Sequence, residues 1–272
     1  MTERNARSTD PTDYQRLAQP VAAMGKGFAD GFEIKPHHHE RDQLLYAVSG
    51  TMRVRTSGQA WIVPPDRAVY IPGGIVHSLV MRGPVEMRTL YIAPASHRAL
   101  PTAPRVLAVT DLLRALVVAL VDEPLSYAVG SRGDLIAQLI LDEIVLAPAL
   151  ALSLPMPGDR RLLRLCEALL DDPSMSATLD SWADQVGASR RTLARLFRAE
   201  CGATFTAWRQ RVRFHAAIEA LSRGASVGEA ARANGYRSAS AFASAFRREF
   251  GFPPKAVSGG GWIDPGKTGG GD

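Results

Sequence analysis

The sequence predicts an α+β chain of more than one domain: a β-rich N-terminal part, a pair of helices, and an all-α C-terminal part. Three observations predict it. From about Val21 to Ala93, short runs rich in β-branched and aromatic residues ("LLYAVSG", "MRVRTSG", "AVYIPGG", "VEMRTLYIAP") are broken by Gly and Pro at regular spacing, the pattern of a barrel or sandwich of short strands. After "LSLPMPGD" at 152–159, apolar residues recur at helical spacing as far as Phe252. The excess positive charge is confined to this second part: residues 1–157 hold 15 Lys and Arg against 15 Asp and Glu, and residues 158–257 hold 16 against 10. A basic domain beside a neutral one points to a polyanionic partner for the first.

Taken in order, residues 1–20 lack periodicity and are expected to be disordered. Residues 21–150 form the β domain with its helical pair, "TDLLRALVVALVDEP" and "SRGDLIAQLILDEIVLAP". Thr110 or Asp111 and Ser131 or Asp134 are the candidate caps, and Pro is the stop in each. The apolar faces of these helices, Leu112, Leu113, Leu116, Val117 and Leu120 on one and Ile136, Leu139, Ile140 and Ile144 on the other, suit packing on the β domain or a dimer seam. Residues 151–158 read as the linker, 159–257 as the helical domain and 258–272 as a flexible Gly-rich tail.

Composition limits the class. With 46% hydrophobic and 22% charged residues, and no apolar run of roughly 18 residues, the chain reads as globular, without a membrane span. No secretory h-region follows Met1, so a cytoplasmic protein is expected. Cys166 and Cys201, the two cysteines, are expected to be reduced thiols.

Two stretches of the helical part can be laid over each other: "SRRTLARLFRAECG" at 189–202 and "SASAFASAFRREFG" at 238–251. Each starts at a Ser suited to an N-cap, places apolar residues four apart and closes at a Gly. A shorter helix precedes each, with a small residue (Ala183, Ala231) where two helices cross and a Gly (Gly187, Gly235) where the turn needs positive φ. The helix between the copies, about 18 residues long, spans roughly 27 Å. That length can set two recognition helices in successive major grooves.

Residues 160–254, above all "AARANGYRSASAFASAFRREFGFPP", are similar to the DNA-binding domain of the AraC/XylS family of bacterial transcription regulators; the match departs from the family pattern at "PKAV", 254–257. The first recognition helix presents Arg190, Arg191, Thr192, Arg195 and Arg198. Arg grips guanine O6 and N7 with two hydrogen bonds, so Arg191 and Arg195 are the expected base readers, with Arg190 and Arg198 on phosphate. Arg237, Ser238, Ser240 and Ser244 of the second copy offer backbone anchoring more than reading.

In the β domain, "PHHHERDQLLYAVSG" and "VYIPGGIVHSLV" resemble the two cupin motifs, in which two His, a Glu and a later His hold a metal inside a small barrel. The resemblance assigns His37, His39, Gln43 and His77 as metal ligands, with Gln43 where cupins have Glu. The ion would be a divalent transition metal. The same residues, with Tyr46, suit an organic ligand, and Trp61, Tyr70 and Tyr91 are further candidates for the pocket wall. Gly50 is expected to close a hairpin, and His38 to face solvent.

The order of parts resembles that of cupin-containing AraC regulators. It implies a sequence-specific transcription regulator whose β domain senses a small molecule or metal. Its partners would be promoter DNA, a small-molecule effector, RNA polymerase and a second copy of the chain. A metal-dependent cupin enzyme fused to a DNA-binding domain is the alternative; it would need a carboxylate near the histidines, where Glu40 and Asp42 are the candidates and both read as solvent-facing, so no enzymatic activity is expected. A non-specific nucleoid protein is the third reading.

Overall fold

The computed structural model describes residues 8–258. The chain divides into two compact units: 8–53 with 63–151, and 54–62 with 152–258. Each is considered by itself.

The first unit is built on an antiparallel sheet. β1 (Val21–Phe28) pairs with β6 (His77–Ile92) from Val21↔Ile92 to Phe28↔Val85. β2 (Glu33–His37) pairs with the first part of β6, setting His37 opposite His77. β3 (Asp42–Thr56), followed by β4 (Gln59–Val63), pairs with β5 (Arg67–Ile71), and β5 pairs with β7 (Arg105–Ala108). In the first half of β6, His77, Leu79 and Met81 are buried while Ser78, Val80 and Arg82 are half-exposed, the period of two that a one-sided core imposes.

Gly50 does not close a hairpin. β3 runs through it at φ +77°, and a Cβ there would lie 2.4 Å from the Pro84 carbonyl, so the strand bends where only Gly fits.

α1 (Asp111–Asp122) and α2 (Arg132–Leu146) start where Thr110 and Ser131 accept hydrogen bonds from Leu113 and Asp134 amides. Leu113, Leu116, Val117 and Leu120 of α1 and Ile136, Ile140 and Ile144 of α2 join Leu44, Tyr46, Tyr70, Leu90 and Leu107 in one core. Packing against the sheet therefore claims most of the apolar residues. Leu112 and Leu139 stay outside, with Leu135 and Leu146. β8 (Ala149–Leu150) closes this part against β7.

Residues 8–20, expected to be disordered, are ordered. Tyr14 is fully buried in a short 3-10 helix (Pro11–Tyr14), its ring 5.5 Å from that of Tyr91. The Arg41 guanidinium donates to the carbonyls of Gln15, Leu17 and Gln19. The absence of periodicity in this stretch signalled no regular element, but a chain can be held without one when a buried Arg collects its carbonyls.

The second unit begins with a correction. The stretch expected as a linker contains β9 (Ser153–Pro155), which pairs antiparallel with Gln59, Ala60 and Trp61 of β4, and the Met156 amide donates to the Gly58 carbonyl. Seven helices follow among the described residues: α3 (Arg160–Asp171), α4 (Leu179–Val186), α5 (Arg190–Cys201), α6 (Phe205–Ser222), α7 (Val227–Ala233), α8 (Ala239–Phe250) and the single turn α9 (Lys255–Ser258). Leu162, Leu165 and Leu169 of α3 bury with Ala183, Leu193, Phe197 and Trp208. On the other side of α6, Phe214 meets the rings of Tyr236, Phe242, Phe246 and Phe250.

Gly187 (φ +63°) and Gly235 (φ +76°) make the left-handed turns after α4 and α7. Cys166 and Cys201 are free, buried thiols that share this unit's core, and the burial of Cys166 pushes its pKa up. Of the tail expected at 258–272, only Ser258 falls within the described residues. Among the described residues no helix is long and apolar enough to cross a membrane.

Candidate metal centre and nucleic-acid interface

His37 stands at the last position of β2 and His77 at the first of β6, as cross-strand partners. His39 lies two residues beyond the end of β2, in the loop to β3, rather than alternating on a strand. Even so the three rings converge, with centroids 4.4 Å (37 to 77), 4.8 Å (37 to 39) and 5.6 Å (39 to 77) apart. One ring nitrogen from each lies within 4.8 Å of the others. A tetrahedral ion at 2.0–2.1 Å from each nitrogen needs about 3.4 Å between them, within reach of ring rotation.

Hydrogen bonding selects the nitrogens. His37 Nδ1 lies 2.8 Å from the Lys35 carbonyl and His77 Nδ1 2.9 Å from the Ile75 carbonyl. A carbonyl only accepts, so each Nδ1 carries the proton and each Nε2 carries the lone pair. Nε2 of His39 and of His77 is buried without a partner, as is Oε1 of Gln43. Burial first, then the neighbouring imidazoles, holds His39 down to about 4; burial likewise holds His77 at about 4. Both rings are therefore neutral at pH 7, as a ligand must be. His38 is exposed.

His37, His39 and Gln43 open on a cavity of about 340 Å³ whose lining includes Tyr91, Met24, Lys26, Phe28, Leu45 and Leu79. Strand parity decides membership. On β3, Gln43 and Leu45 face the cavity, while Leu44 and Tyr46 face the helices. Tyr46, expected in the pocket wall, is thus in the opposite core. Tyr70 is there too, donating its hydroxyl to Asp42 at 2.5 Å, and Trp61 is buried on β4; of the proposed aromatic wall only Tyr91 lines the cavity. The carboxylate of Asp42 also accepts from the Gly73 amide at 2.7 Å, and Glu40 is exposed.

Sequence reasoning missed the wall contributed by β1. Met24, Lys26 and Phe28 alternate in "VAAMGKGF", and that period of two was the available signal.

In the second unit, α5 and α8 each follow the short helix of a helix-turn-helix pair. Ser189 Oγ accepts from the Thr192 amide at 3.1 Å, and Ser238 Oγ accepts from the Ala241 amide at 3.2 Å. Leu193 and Phe197, and Phe242 and Phe246, are fully buried. Arg190, Arg191, Arg195 and Arg198 are exposed along α5. Arg190 pairs with Asp180 at 3.3 Å, and the Thr192 hydroxyl is engaged by Ser189 at 2.9 Å, so neither is as free as Arg191 and Arg195. Arg237, Ser240 and Ser244 are exposed around α8, whereas the Ser238 hydroxyl is occupied as the cap. Arg247 and Arg248, in the last turn of α8, are exposed as well and were not among the expected contacts.

Comparison with known proteins agrees with both halves. The family description "Helix-turn-helix domain" matches residues 182–259 and "Cupin domain" matches residues 27–93. The HTH-type transcriptional regulator NimR of Escherichia coli K12 is 30% identical over 218 residues, covering 80% of this chain and 80% of NimR. The chain belongs to the AraC-type family of transcriptional regulators.

It is accordingly a DNA-binding regulator with a cupin domain ahead of the helix-turn-helix domain. The HTH-type transcriptional regulator RipA of Corynebacterium glutamicum is 30% identical over 104 residues, 38% of this chain and 31% of RipA. Among solved structures, ToxT of Vibrio cholerae aligns over 88% of this chain and 98% of its own, with 9% identity and a TM-score of 0.36. α5 and α8, the second helix of each helix-turn-helix pair, are the candidate recognition helices, and their outward faces are the candidate nucleic-acid interface.

Proposed function

We propose that this regulator binds specific promoter sequences as a homodimer in the cytoplasm, and that a divalent transition metal and a small-molecule effector in the β domain set its hold on DNA. The observation that carries the reading is the convergence of the His37, His39 and His77 rings, with the buried Nε2 atoms of His39 and His77 and the Oε1 of Gln43 left without a protein partner, at the edge of a 340 Å³ cavity. Buried polar atoms are left unpaired only where something else pairs them.

His37, His39 and His77 would hold the ion, with Gln43 Oε1 as a fourth donor, and Zn²⁺, Fe²⁺, Ni²⁺ or Mn²⁺ suits that set. A bound ion would supply Lewis-acid character there.

Coupling to DNA is a population shift: a ligand that prefers one arrangement of the chain changes how the recognition helices reach adjacent grooves. β3 supports such a route. It starts beside Gln43 and ends in the helical unit, where Arg55 pairs with Glu167 and Asp171 of α3, each at 3.6 Å. Leu112, Leu135, Leu139 and Leu146, all about half-exposed or more, support a second copy on the α1 and α2 face. RNA polymerase is the further partner of a regulator seated at a promoter.

Elemental analysis of untagged, natively purified protein beside a His39→Ala/His77→Ala variant tests the metal. About one ion per chain, lost in the variant, is the expected result; none in either removes the metal from the reading. Competition between the chain's own upstream region and random duplex tests specificity, and equal affinity would return it to a non-specific binder.

A further inference from the structure

The metal reading leaves a charge uncompensated. The imidazoles of His37, His39 and His77 are neutral donors, and Gln43 is an amide. Among the described residues no carboxylate or thiolate joins the histidine group. Glu33, the one acid of the cavity lining among the described residues, is exposed and lies 3.7 Å from the ammonium of Lys35. Asp42, the neighbour of Gln43, has its carboxylate committed to Tyr70 and Gly73. An ion held here keeps its full double charge, in a place where His39, Gln43 and His77 are buried from solvent. A charge in such surroundings draws a counter-charge to itself.

The rest of the cavity restricts what can bring that counter-charge. Its wall is made largely of Met24, Phe28, Phe32, Leu45, Leu79 and Met87. Lys35, which also lines the cavity, faces Glu33, and Lys26 adds positive potential; the Lys26 ammonium sits 5.5 Å above the Phe28 ring and donates to the Thr9 carbonyl at 3.2 Å. A small hydrated anion would satisfy the ion and leave the apolar wall wet; a neutral apolar molecule would cover the wall and leave the ion unmatched. A molecule with both parts satisfies the whole cavity, which at about 340 Å³ falls at the small end of ligand pockets, roughly 300–1,000 Å³.

We infer that the effector is an amphipathic carboxylate, its head completing the metal's coordination and its hydrocarbon or aryl body lying against the apolar wall, and that Gln43 reserves the anionic position for it. This rests on the metal reading above. Gln43 is the specificity-determining residue because a Glu at the same position would supply the negative charge from the protein.

The test uses the full chain loaded with Co²⁺, whose visible bands report its coordination. Octanoate and 4-phenylbutanoate are titrated against octanamide and 4-phenylbutanamide, which keep the body and remove the charge. The carboxylates are expected to shift the Co²⁺ bands and to bind at least tenfold more tightly than the amides. Stripping the ion with a chelator is expected to abolish that preference. In Gln43→Glu the ion is expected to stay while the preference falls at least tenfold. Absence of Co²⁺ uptake by the native chain overturns the metal reading and this inference with it. Uptake with amides binding as tightly as carboxylates overturns the inference alone. A Gln43→Glu chain that keeps both ion and preference removes Gln43 from the role, and the comparison on the native chain stands even where that variant does not fold.

Discussion

The two helix-turn-helix copies share a frame and differ in what they present. From the N-cap onward the helices superpose with an offset of 49 residues: Ser189 on Ser238, Leu193 on Phe242, Phe197 on Phe246, Arg198 on Arg247, Gly202 on Gly251. The turns differ by one residue. Gly187 is followed by Ala188 and then the cap; Gly235 is followed by Tyr236 and Arg237, and Tyr236 stacks on Phe214 at 6.2 Å between centroids. On the outward face Arg191 and Arg195 correspond to Ser240 and Ser244, while Arg198 has its counterpart in Arg247. Packing is duplicated. We propose that backbone anchoring is shared and that base reading, which needs the reach of Arg191 and Arg195, belongs to the first copy.

The first way to break this comparison is through the frames. Phe197 meets the rings of Phe205 and Trp208, and Phe246 meets those of Phe214, Phe242, Phe250 and Phe252. Each is fully buried, so Phe197→Ala and Phe246→Ala should each cost about 3–5 kcal/mol in denaturant unfolding. A loss below about 1 kcal/mol at either position would show that the copies are not equivalent as structure.

The second concerns the reading face. Arg195→Ala should lose about 1–3 kcal/mol of discrimination at one operator position, measured by competition with single-base variants. Its counterpart, Ser244→Ala, should change discrimination by less than about 0.5 kcal/mol. If both variants behave alike, the division into a reading copy and an anchoring copy is wrong.

Much of this frame was legible in the sequence because local chemistry decides it. The caps Ser189 and Ser238, the turns at Gly187 and Gly235 and the 18-residue α6 follow from hydrogen-bonding groups and φ preferences that act within a few residues. What was not legible depended on distant partners. Three residues of the expected linker became β9 because β4 offers them a strand edge, and no property of "SLP" announces that. Residues 8–20 are held by Arg41, which lies more than twenty positions away. The metal candidates were legible as types, yet Tyr46 was placed in the wrong wall. Counting two residues on from Leu44 rather than from Gln43 sets it on the helix side of β3.

The caps give a smaller effect and sharpen the same comparison. Ser189→Ala and Ser238→Ala each remove one acceptor for an exposed helix-start amide, at 3.1 and 3.2 Å, and should each cost about 1 kcal/mol of stability in thermal unfolding. Ser189 also engages Thr192, so its loss should free the Thr192 hydroxyl. Ser238→Ala has no such second effect, and any change in base preference should therefore be confined to the first copy.

The smallest effect addresses what the copies share. Arg198 and Arg247 occupy corresponding positions, and both are exposed. If each neutralises one phosphate, each releases condensed counterions on binding, and removing either should lower the slope of log K against log salt by about 0.9. Between 50 and 200 mM salt the affinity gap between native chain and variant should then shrink about three- to fourfold, because the native complex loses more as counterion release becomes less favourable. The change should be the same on operator and random DNA, since a phosphate carries no sequence. A slope that falls for Arg198→Ala but not for Arg247→Ala would leave the second helix off the backbone. The duplication would then extend to the fold and not to the contact.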